Sequence, residues 1–328
     1  MGFIARRLAT YVVALWAAVT VNFLIPRLIP GDAVGAMMAK YPNLTPQAAH
    51  ALDLLLGVGK SKGSLWHQYV VYLGNLAHGD LGISLSNFPT NVSTLIGAAA
   101  WWTIILVGTA TLISFVLGTL LGILAAWRRG GWFDRALPAL SFLQATPYFF
   151  LALILIDLFA LHYRFFPAEG GKGLFVQIGF NWPFVRDAVA HALLPAITLV
   201  VTSMAGWMLQ MRNVMITTIG EDYVLAAQAK GLRSRRVVFS YAARNAILPN
   251  LAGFALALGF VVAGALIMEL VFSYPGLGLL LYNAVNSDDG PLMQGVFLVI
   301  AIAVLAASLI ADAVYVIADP RTRTRASY

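Results

Sequence analysis

The chain of 328 residues contains no cysteine. Disulfide bonds, thiol nucleophiles and cysteine metal sites are therefore excluded, and the redox state of its compartment stays undetermined. Charged residues are also scarce, at 11% of the chain against a hydrophobic share of 60%. Soluble domains carry about 25% charged residues, so a chain this poor in charge needs an apolar solvent for much of its surface.

Long stretches without Lys, Arg, Asp or Glu indicate that this solvent is a lipid bilayer. A helix needs about 20 consecutive apolar residues to cross a membrane, and six charge-free stretches are long enough. The stretches lack the alternation over about 10 residues that marks a membrane β-strand. The sequence therefore predicts an all-α integral membrane protein with six transmembrane helices, whose apolar stretches begin near Leu8, Ile96, Ala136, Ala188, Asn245 and Gly290.

Residue patterns that would carry catalysis are missing from these stretches. They hold no HExxH motif, paired catalytic carboxylates or Ser/Lys dyad, so an intramembrane enzyme ranks last among the functions considered. Gly59-Lys60-Ser61 ends like a phosphate-binding loop, but Leu54 stands where GxxxxGK[ST] requires glycine. We expect no catalytic residue in the chain, and no cofactor or ATP bound by it unaided.

Besides cysteine, histidine is a residue that a metal transporter could exploit, because imidazole binds nickel well. All five histidines fall on the predicted outer side of the membrane, but their spacing matches no ligand motif. Scattered surface residues are the better interpretation, and no metal site is predicted. The five are His50, His67, His78, His162 and His191.

The positive charges predict the orientation of the helices. Cytoplasmic loops of membrane proteins are enriched in Lys and Arg, and a cytoplasmic N-terminus places 14 of the 21 such residues inside. Both termini are then cytoplasmic, and the net charge of +7 reflects topology, so nucleic-acid binding is an unneeded explanation. A long first apolar run without an A-x-A-like cleavage site predicts an uncleaved first span. The 14 residues are Arg6, Arg7, Arg128, Arg129, Arg135, Arg212, Lys230, Arg233, Arg235, Arg236, Arg244, Arg321, Arg323 and Arg325.

Four parts follow one another along the chain. They are a cytoplasmic N-terminus with the first span, an extracytoplasmic helical segment, a core with five more spans, and a cytoplasmic tail. In the outer segment, Thr45-Pro46 and Ser64–Leu76 mark two amphipathic helices. The four parts cover residues 1–29, 30–95, 96–317 with a cytoplasmic loop at 219–246, and 318–328.

The spans contain signals for close helix packing. Gly118 and Gly122 in the second span form a small-xxx-small pair, which lets two helices approach closely. The fifth span is rich in Gly and Ala, as in a helix pressed between others. An aromatic-rich outer loop at 162–187 is expected to lie at the membrane interface. The spans cover about residues 8–29, 96–127, 137–161, 188–218, 247–272 and 291–317.

The most informative segment is Glu221–Asn250, which joins two predicted spans on the cytoplasmic side. Glu221 and Asp222 stand at a helix start, where the helix dipole favours carboxylates, and Gly231 is a natural left-handed stop. A second, basic helix over Ser234–Asn245 leads into the fifth span. The first helix has small side chains, so the groove of another protein can approach its backbone. An interfacial helix on anionic lipid is the alternative.

The same segment resembles a known motif. YVLAAQAKGL followed by RNAILPN is similar to the EAA loop of ABC-importer permeases, in which a short coupling helix fits a cleft on the ATPase subunit. Ala226, Ala227 and Gly231 match the motif, whereas its leading glutamate is Leu225 here. The resemblance implies an ATPase-coupling site, consisting of Tyr223, Leu225, Ala226, Ala227, Lys230, Gly231 and Leu232.

Other segments resemble the dipeptide, oligopeptide and nickel branch of these permeases. The resemblance implies the type I ABC importer permease fold, with six spans in the cell membrane. It implies a second, homologous permease, one or two ABC ATPase subunits that hold ATP and Mg, and an extracytoplasmic solute-binding protein as partners. The segments are RRL at the start, PGD at 30–32, GDLGIS at 79–84, ELVFSYPGLG at 269–278 and ADPRTR at 318–323.

Charged and flexible residues within the spans are candidates for a translocation path. Asp157 lies inside the third span, where a carboxylate is costly, and either receives a cationic group or pairs with His162 or Arg164. Glu269 fits a gate or a structural role better than substrate binding. A methionine stripe on the fourth span suits an adaptable lining, with helix packing as the slightly favoured alternative. The stripe consists of Met204, Met208, Met211 and Met215.

These observations predict a subunit that forms half of the translocation path of an ATP-driven importer for short peptides. Oligosaccharides or nickel are the alternative solutes within the same branch. A stand-alone ion-coupled carrier is the alternative from another class. It would need buried ion ligands near the midplane of the membrane, and the spans supply few beyond Asp157.

Overall fold

The computed structural model describes residues 2–28, 64–128, 130–131, 137–263 and 266–318. Regular secondary structure within these ranges is helical, apart from an isolated bridge between Ile83 and Asn91. The all-α prediction agrees with this finding. The predicted helix after Thr45, the Gly59-Lys60-Ser61 sequence and His50 lie outside the described residues.

The helices fall into two compact units of the chain. One unit contains Met1–Trp102 and Pro275–Leu305, and the other contains Thr103–Tyr274 and Ala306–Tyr328. In chain order the helices are α1 (Gly2–Leu28), α2 (Leu65–Ala77), α3 (Val92–Trp127), α4 (Leu137–Ala145), α5 (Tyr148–Leu155), the π-helical turn π1 (Ile156–His162), α6 (Trp182–Ile219), α7 (Asp222–Ala229), α8 (Ser234–Arg236), the π-helical turn π2 (Val237–Ala242), α9 (Ala243–Ala246), α10 (Leu248–Ala263), α11 (Leu266–Val271), α12 (Leu277–Asn286) and α13 (Gly290–Ala318).

Among the described residues, three helices are long and apolar enough to cross a membrane by themselves. They are α3, α6 and the part Gly290–Asp312 of α13. A fourth crossing results if Ser234–Ala246 and Leu248–Val262, which meet at a bend of 53°, count as one span. Ala9–Ile25 and Tyr148–His162 are shorter apolar helices. Within the described residues, each predicted span consists mainly of helix, while the number of six crossings stays a prediction.

The third predicted span is not one continuous helix. It divides into α4 and α5 with Thr146 and Pro147 between them, and the helix continues from α5 into π1. Proline lacks the backbone N–H that a helix interior requires and disfavours helical backbone in the residue before it. The break at Pro147 therefore has a local cause in the sequence.

In the first unit, aromatic contacts join α1 to α2. The ring of Phe23 meets those of Tyr69 and Tyr72 at centroid distances of 5.1 and 5.5 Å. The Asn22 amide donates to the Tyr72 hydroxyl at 3.1 Å and to the Gln294 carbonyl at 2.8 Å. Ser64 caps α2 by accepting from the His67 N–H at 3.3 Å, which confirms the amphipathic helix predicted there.

A buried carboxylate holds the GDLGIS loop in the same unit. Asp289 is fully buried and accepts hydrogen bonds from the Ser84 hydroxyl at 2.5 Å and from the Ser86 hydroxyl and N–H at 2.7 and 2.8 Å. Its second oxygen accepts from the Leu292 N–H at 3.1 Å, at the start of α13. One side chain therefore caps a helix and fixes a loop that is distant in sequence.

In the second unit, glycines let α3 and α6 touch through their backbones. A Cβ atom on Gly118 would lie 2.7 Å from the Met204 carbonyl oxygen, and one on Gly122 would lie 2.6 Å from that of Met208. These distances are too short for any side chain, which confirms the close approach predicted from the glycine pair. Gly259 of α10 meets the Cβ atom of Ala307 in the same way.

The loop before α6 exposes an unusual amount of apolar surface. Leu174, Phe175 and Phe180 are almost fully exposed, and Trp182 at the start of α6 is also exposed. Aromatic residues of membrane proteins concentrate at the interface between lipid and water. The predicted interfacial placement of this loop is consistent with that exposure.

We expect Asp289→Asn to destabilise the first unit by about 1–3 kcal/mol, because an amide cannot accept all four hydrogen bonds and leaves buried donors unsatisfied. Thermal unfolding of the purified protein in detergent measures the loss. Asp288→Asn is the matched control, since Asp288 is exposed with φ of 51° and asparagine tolerates that conformation. Equal melting temperatures for the two variants would contradict the role of the Asp289 carboxylate in fixing the GDLGIS loop.

Candidate functional site

Helix α7 is seated on a hydrophobic cluster of its own chain. Two side chains of α7, Val224 and Ala227, are buried against Met211 and Met215 of α6. Residues of α3 and of the following basic segment complete the cluster, namely Ile123, Ala126, Val237, Val238, Ala242, Ala243 and Ala246. Because the cluster joins α7 to the ends of two long helices, α7 is fixed to them and is not a free loop.

A left-handed glycine ends α7. Gly231 has φ of +70°, its N–H donates to the Gln228 carbonyl at 2.9 Å, and the Leu232 N–H donates to the Ala227 carbonyl at 3.4 Å. This pair of bonds is the Schellman motif, in which an apolar residue after the glycine packs back on the helix. Leu232 does so by packing on the cluster. The predicted stop at Gly231 is confirmed.

The outward face of α7 consists of small and apolar side chains. Leu225, Ala226 and Ala229 are exposed on the side opposite Val224 and Ala227. The two alanines of the motif therefore lie on different sides of the helix, because residues 226 and 227 are separated by about 100° of rotation. Ala226 is available to a partner, whereas Ala227 positions the helix from beneath.

The other residues of the predicted coupling site lie at the edges of this face. Tyr223 is exposed, and its hydroxyl accepts a hydrogen bond of 2.9 Å from the Asn245 amide, which ties α7 to the basic segment. Lys230 is exposed next to Gly231. The structure thus brings all seven predicted residues into one turn-and-helix unit.

The basic segment that follows α7 leads into α10 through a bend. Ser234–Ala246 meets Leu248–Val262 at 53°, and Pro249 stands just after the bend. Its inner side is buried in the cluster, while Arg235, Arg236 and Arg244 are exposed. The sequence predicted this second helix and its entry into the fifth span.

Helix α6 presents two different faces to its surroundings. Met208, Met211 and Met215 are fully buried, and they lie on the side that faces α3 and the cluster under α7. Met204 is partly buried, with its backbone against Gly118. The methionine stripe is thus largely buried within a single chain. This burial fits helix packing, the alternative to a path lining that the sequence left open.

The other face of α6 lines a polar cavity of about 870 Å³ within the second unit. Helices α3, α4 and α10 complete its wall. The polar residues of its described lining carry hydroxyl or carboxamide groups, and none of the described lining residues is ionisable. These residues are Thr111, Ser114, Ser141, Gln144, Thr202, Ser203, Gln210 and Asn213.

Sequence reasoning missed this cavity, although a signal for it exists. Ser203, Gly206, Gln210 and Asn213 follow each other in steps of three and four residues, which places them on one helix face. The polar stripe runs beside the methionine stripe on the same span. Polar residues at helical spacing in an apolar span mark a surface that does not face lipid.

Asp157 lies apart from the cavity-lining residues. It is the second residue of π1, and its side chain is exposed. Within the described residues its carboxylate has no hydrogen-bond or ion-pair partner, so the predicted pairing with His162 or Arg164 is not formed. An exposed carboxylate on an apolar helix faces water or another protein more readily than lipid.

Glu269 occupies a buried position in α11. It accepts a hydrogen bond of 2.7 Å from the Thr103 hydroxyl, and its own carbonyl accepts from the Tyr274 N–H at 2.7 Å. Burial raises the pKa of the Tyr274 hydroxyl above its ordinary value, and the Glu269 carboxylate raises it further. The side chain and the backbone of Glu269 are each held by one of these bonds, which is consistent with the gate or structural role that the sequence favoured.

Among the described residues, no group of three or more His, Asp or Glu side chains could hold a metal ion. Of the four described histidines, His78 and His191 bind carbonyl groups of their own helices, Gly74 and Asp187. His78 is exposed, whereas His191 is buried and is therefore not the surface residue that the sequence predicted.

Comparison with known proteins shows which family and which relatives the chain is similar to. The family described as binding-protein-dependent transport system inner membrane component matches residues 118–324. The chain is 36% identical to the di/tripeptide transport system permease protein DppB of Pseudomonas aeruginosa, over 98% of this chain and 99% of that protein. It is 33% identical to the dipeptide permease DppB of Escherichia coli, with the same coverage. It is 31% identical to the oligopeptide permease AppB of Bacillus subtilis, over 98% of each chain.

We expect Gly231→Ala to loosen the end of α7, since a left-handed residue with a Cβ atom costs about 1–2 kcal/mol. The added Cβ atom would meet nothing within 4 Å, so the cost is in the backbone alone. Hydrogen exchange of the α7 amides measures the change. Gly231→Asn is the control, because asparagine tolerates this conformation. Equally fast exchange in both variants would contradict the conclusion that a left-handed residue at position 231 holds the end of α7.

Proposed function

Because the chain belongs to the family of binding-protein-dependent transport system inner membrane components, we propose that it is the permease subunit of an ATP-driven importer for short peptides. It is a multi-pass membrane protein, as its apolar helices and family require. Peptides are preferred over oligosaccharides or nickel because the names of all three relatives described above specify dipeptide, tripeptide or oligopeptide transport.

The observation that carries the coupling role is the outward face of α7. Leu225, Ala226 and Ala229 offer a shallow surface with little side-chain bulk, on a helix whose inner side is fixed to α6. Such a surface suits insertion into a cleft of an ATPase subunit. The motif's glutamate is absent at Leu225, so the contact here depends on shape and apolar area rather than on a carboxylate.

The path for the solute is proposed to include the polar cavity. Helix α6 connects the two sites, since Met211 and Met215 pack under α7 while Gln210 and Asn213 line the cavity. A shift of α7 on nucleotide binding by the ATPase would therefore move the cavity wall as well. Asp157, with its unpaired carboxylate, is proposed to lie on the same path farther toward the outer side.

The remaining partners and the topology follow from the same proposal. Six spans with both termini in the cytoplasm place α7 on the side of the ATPases and the loop before α6 on the side of the solute-binding protein. A second permease completes the path. ATP and Mg belong to the ATPase subunits, and this chain contributes no catalytic group.

The ion-coupled carrier is the weaker alternative because the described lining of the cavity offers no ionisable side chain to bind a coupling ion. Hydroxyl and carboxamide groups can bind a solute without changing their charge. ATP hydrolysis by the partner ATPase subunits is therefore the better source of energy for movement of the helices.

We expect Ala226→Trp to weaken association with the ATPase subunits at least about tenfold, because a large side chain at the centre of a packed interface cannot be accommodated. Affinity capture of the ATPases by the purified permease, together with ATP-dependent uptake into vesicles, measures the effect. Ala77→Trp is the matched control, since Ala77 is exposed at the end of α2. Normal capture and uptake by the Ala226 variant would remove the coupling assignment.

A further inference from the structure

The polar cavity has an unusual combination of properties. It is large enough for a small peptide, since pockets for small molecules have volumes of about 300–1,000 Å³ and this one measures about 870 Å³. It lies between helices that are apolar on their other sides. Yet none of the lining residues that the structure describes carries a charge.

Five of its side chains have unused hydrogen-bonding capacity. Within the described part of the chain, the side chains of Ser141, Gln144, Ser203, Gln210 and Asn213 make no hydrogen bond. A hydroxyl or amide moved from water into hydrocarbon without a partner carries a large free-energy penalty. Five such exposed groups on one cavity indicate that they face water, a polar solute or the second permease, and not lipid.

The chemistry of these five groups matches a peptide backbone. Each carboxamide offers donors and an acceptor, and each hydroxyl can do both. A peptide presents N–H donors and C=O acceptors at a regular spacing of about 3.3–3.6 Å per residue, whatever its side chains are. Neutral groups on the wall can therefore exchange hydrogen bonds with any peptide as it moves.

The absence of charge has a separate consequence. A fixed carboxylate or ammonium group in a cavity of low dielectric would hold one class of peptide strongly and repel the other. Passage requires that a solute be bound weakly enough to leave again. A neutral wall meets this requirement for acidic, basic and neutral peptides alike.

We propose that this cavity binds peptides in transit through their backbone amides and that its neutral wall makes binding at this cavity indifferent to the charge of their side chains. This inference rests on the proposed importer function. It goes beyond that function by naming the chemical feature of the solute that is recognised and the five residues that recognise it.

Substitutions that place a charge on the wall test the proposal. The complete importer, reconstituted in vesicles with saturating solute-binding protein, would be assayed with Ala-Glu-Ala, Ala-Gln-Ala and Ala-Lys-Ala. Gln210→Glu should favour the lysine peptide over the glutamate peptide by at least about fivefold relative to the unsubstituted importer, and Gln210→Lys should do the reverse. A fivefold change corresponds to about 1 kcal/mol, the attraction of two charges about 4 Å apart in water.

Matched controls are available outside the cavity. Gln177 is exposed in the loop before α6, so Gln177→Glu and Gln177→Lys repeat the same chemical changes elsewhere and should leave the peptide ratios unchanged. Equal ratios for all Gln210 variants would overturn the inference. Lack of ATP-dependent uptake of any peptide by the unsubstituted importer would instead overturn the proposed function.

A second measurement does not depend on transport by a charged variant. The chain is free of cysteine, so Asn213→Cys introduces a single thiol that a water-soluble methanethiosulfonate reagent can label. Saturating Ala-Gln-Ala and solute-binding protein should slow labelling of Asn213→Cys in the ATP-driven importer, and the same variant with solute-binding protein but without peptide is the control. Labelling of Asn213→Cys at an unchanged rate would contradict passage through the cavity.

Discussion

The contact on which the functional arrangement depends is the packing of α7 against the end of α6. Val224 and Ala227 lie buried on Met211 and Met215, and the left-handed Gly231 ends the helix so that Leu232 packs back on the same cluster. Without this contact, α7 would be a mobile connection between two spans. With it, a force on the outward face of α7 reaches a helix of 38 residues. Packed interiors transmit such displacements because they have few voids to absorb them.

The two faces of α6 are consistent with the proposed roles of this helix in both coupling and passage. On one side, Gly118 and Gly122 bring the backbone of α3 so close that no side chain fits between the helices. On the other side, Gln210 and Asn213 face the polar cavity. In the proposed importer, a rigid helix with the ATPase contact at one end and a polar face farther along would link nucleotide-driven movement to a change of the cavity. The helix itself needs no chemical group that reacts.

Much of the fold and of the coupling site could be predicted from the sequence because the signals are local. Apolar length marks the spans, Gly118 and Gly122 mark a close contact, and Gly231 marks a helix end. The side of α7 that a partner can reach depends instead on tertiary packing, so Ala226 and Ala227 could not be separated by their motif alone. The ten-residue helix α12 was not predicted, since an apolar stretch of that length has no decisive periodicity. The cavity requires α3, α4, α6 and α10 together, and therefore became visible only in the structure.

The central claim is that α7 and the end of α6 move as one body while the cavity changes shape. Spin labels on paired cysteines in this cysteine-free chain test it directly, through distances measured in the assembled importer with and without ATP. The account predicts a constant distance between labels at Thr217 and Gln228 and a changed distance between labels at Ser141 and Gln210. A nucleotide-dependent change in the first distance, with the second constant, would contradict it.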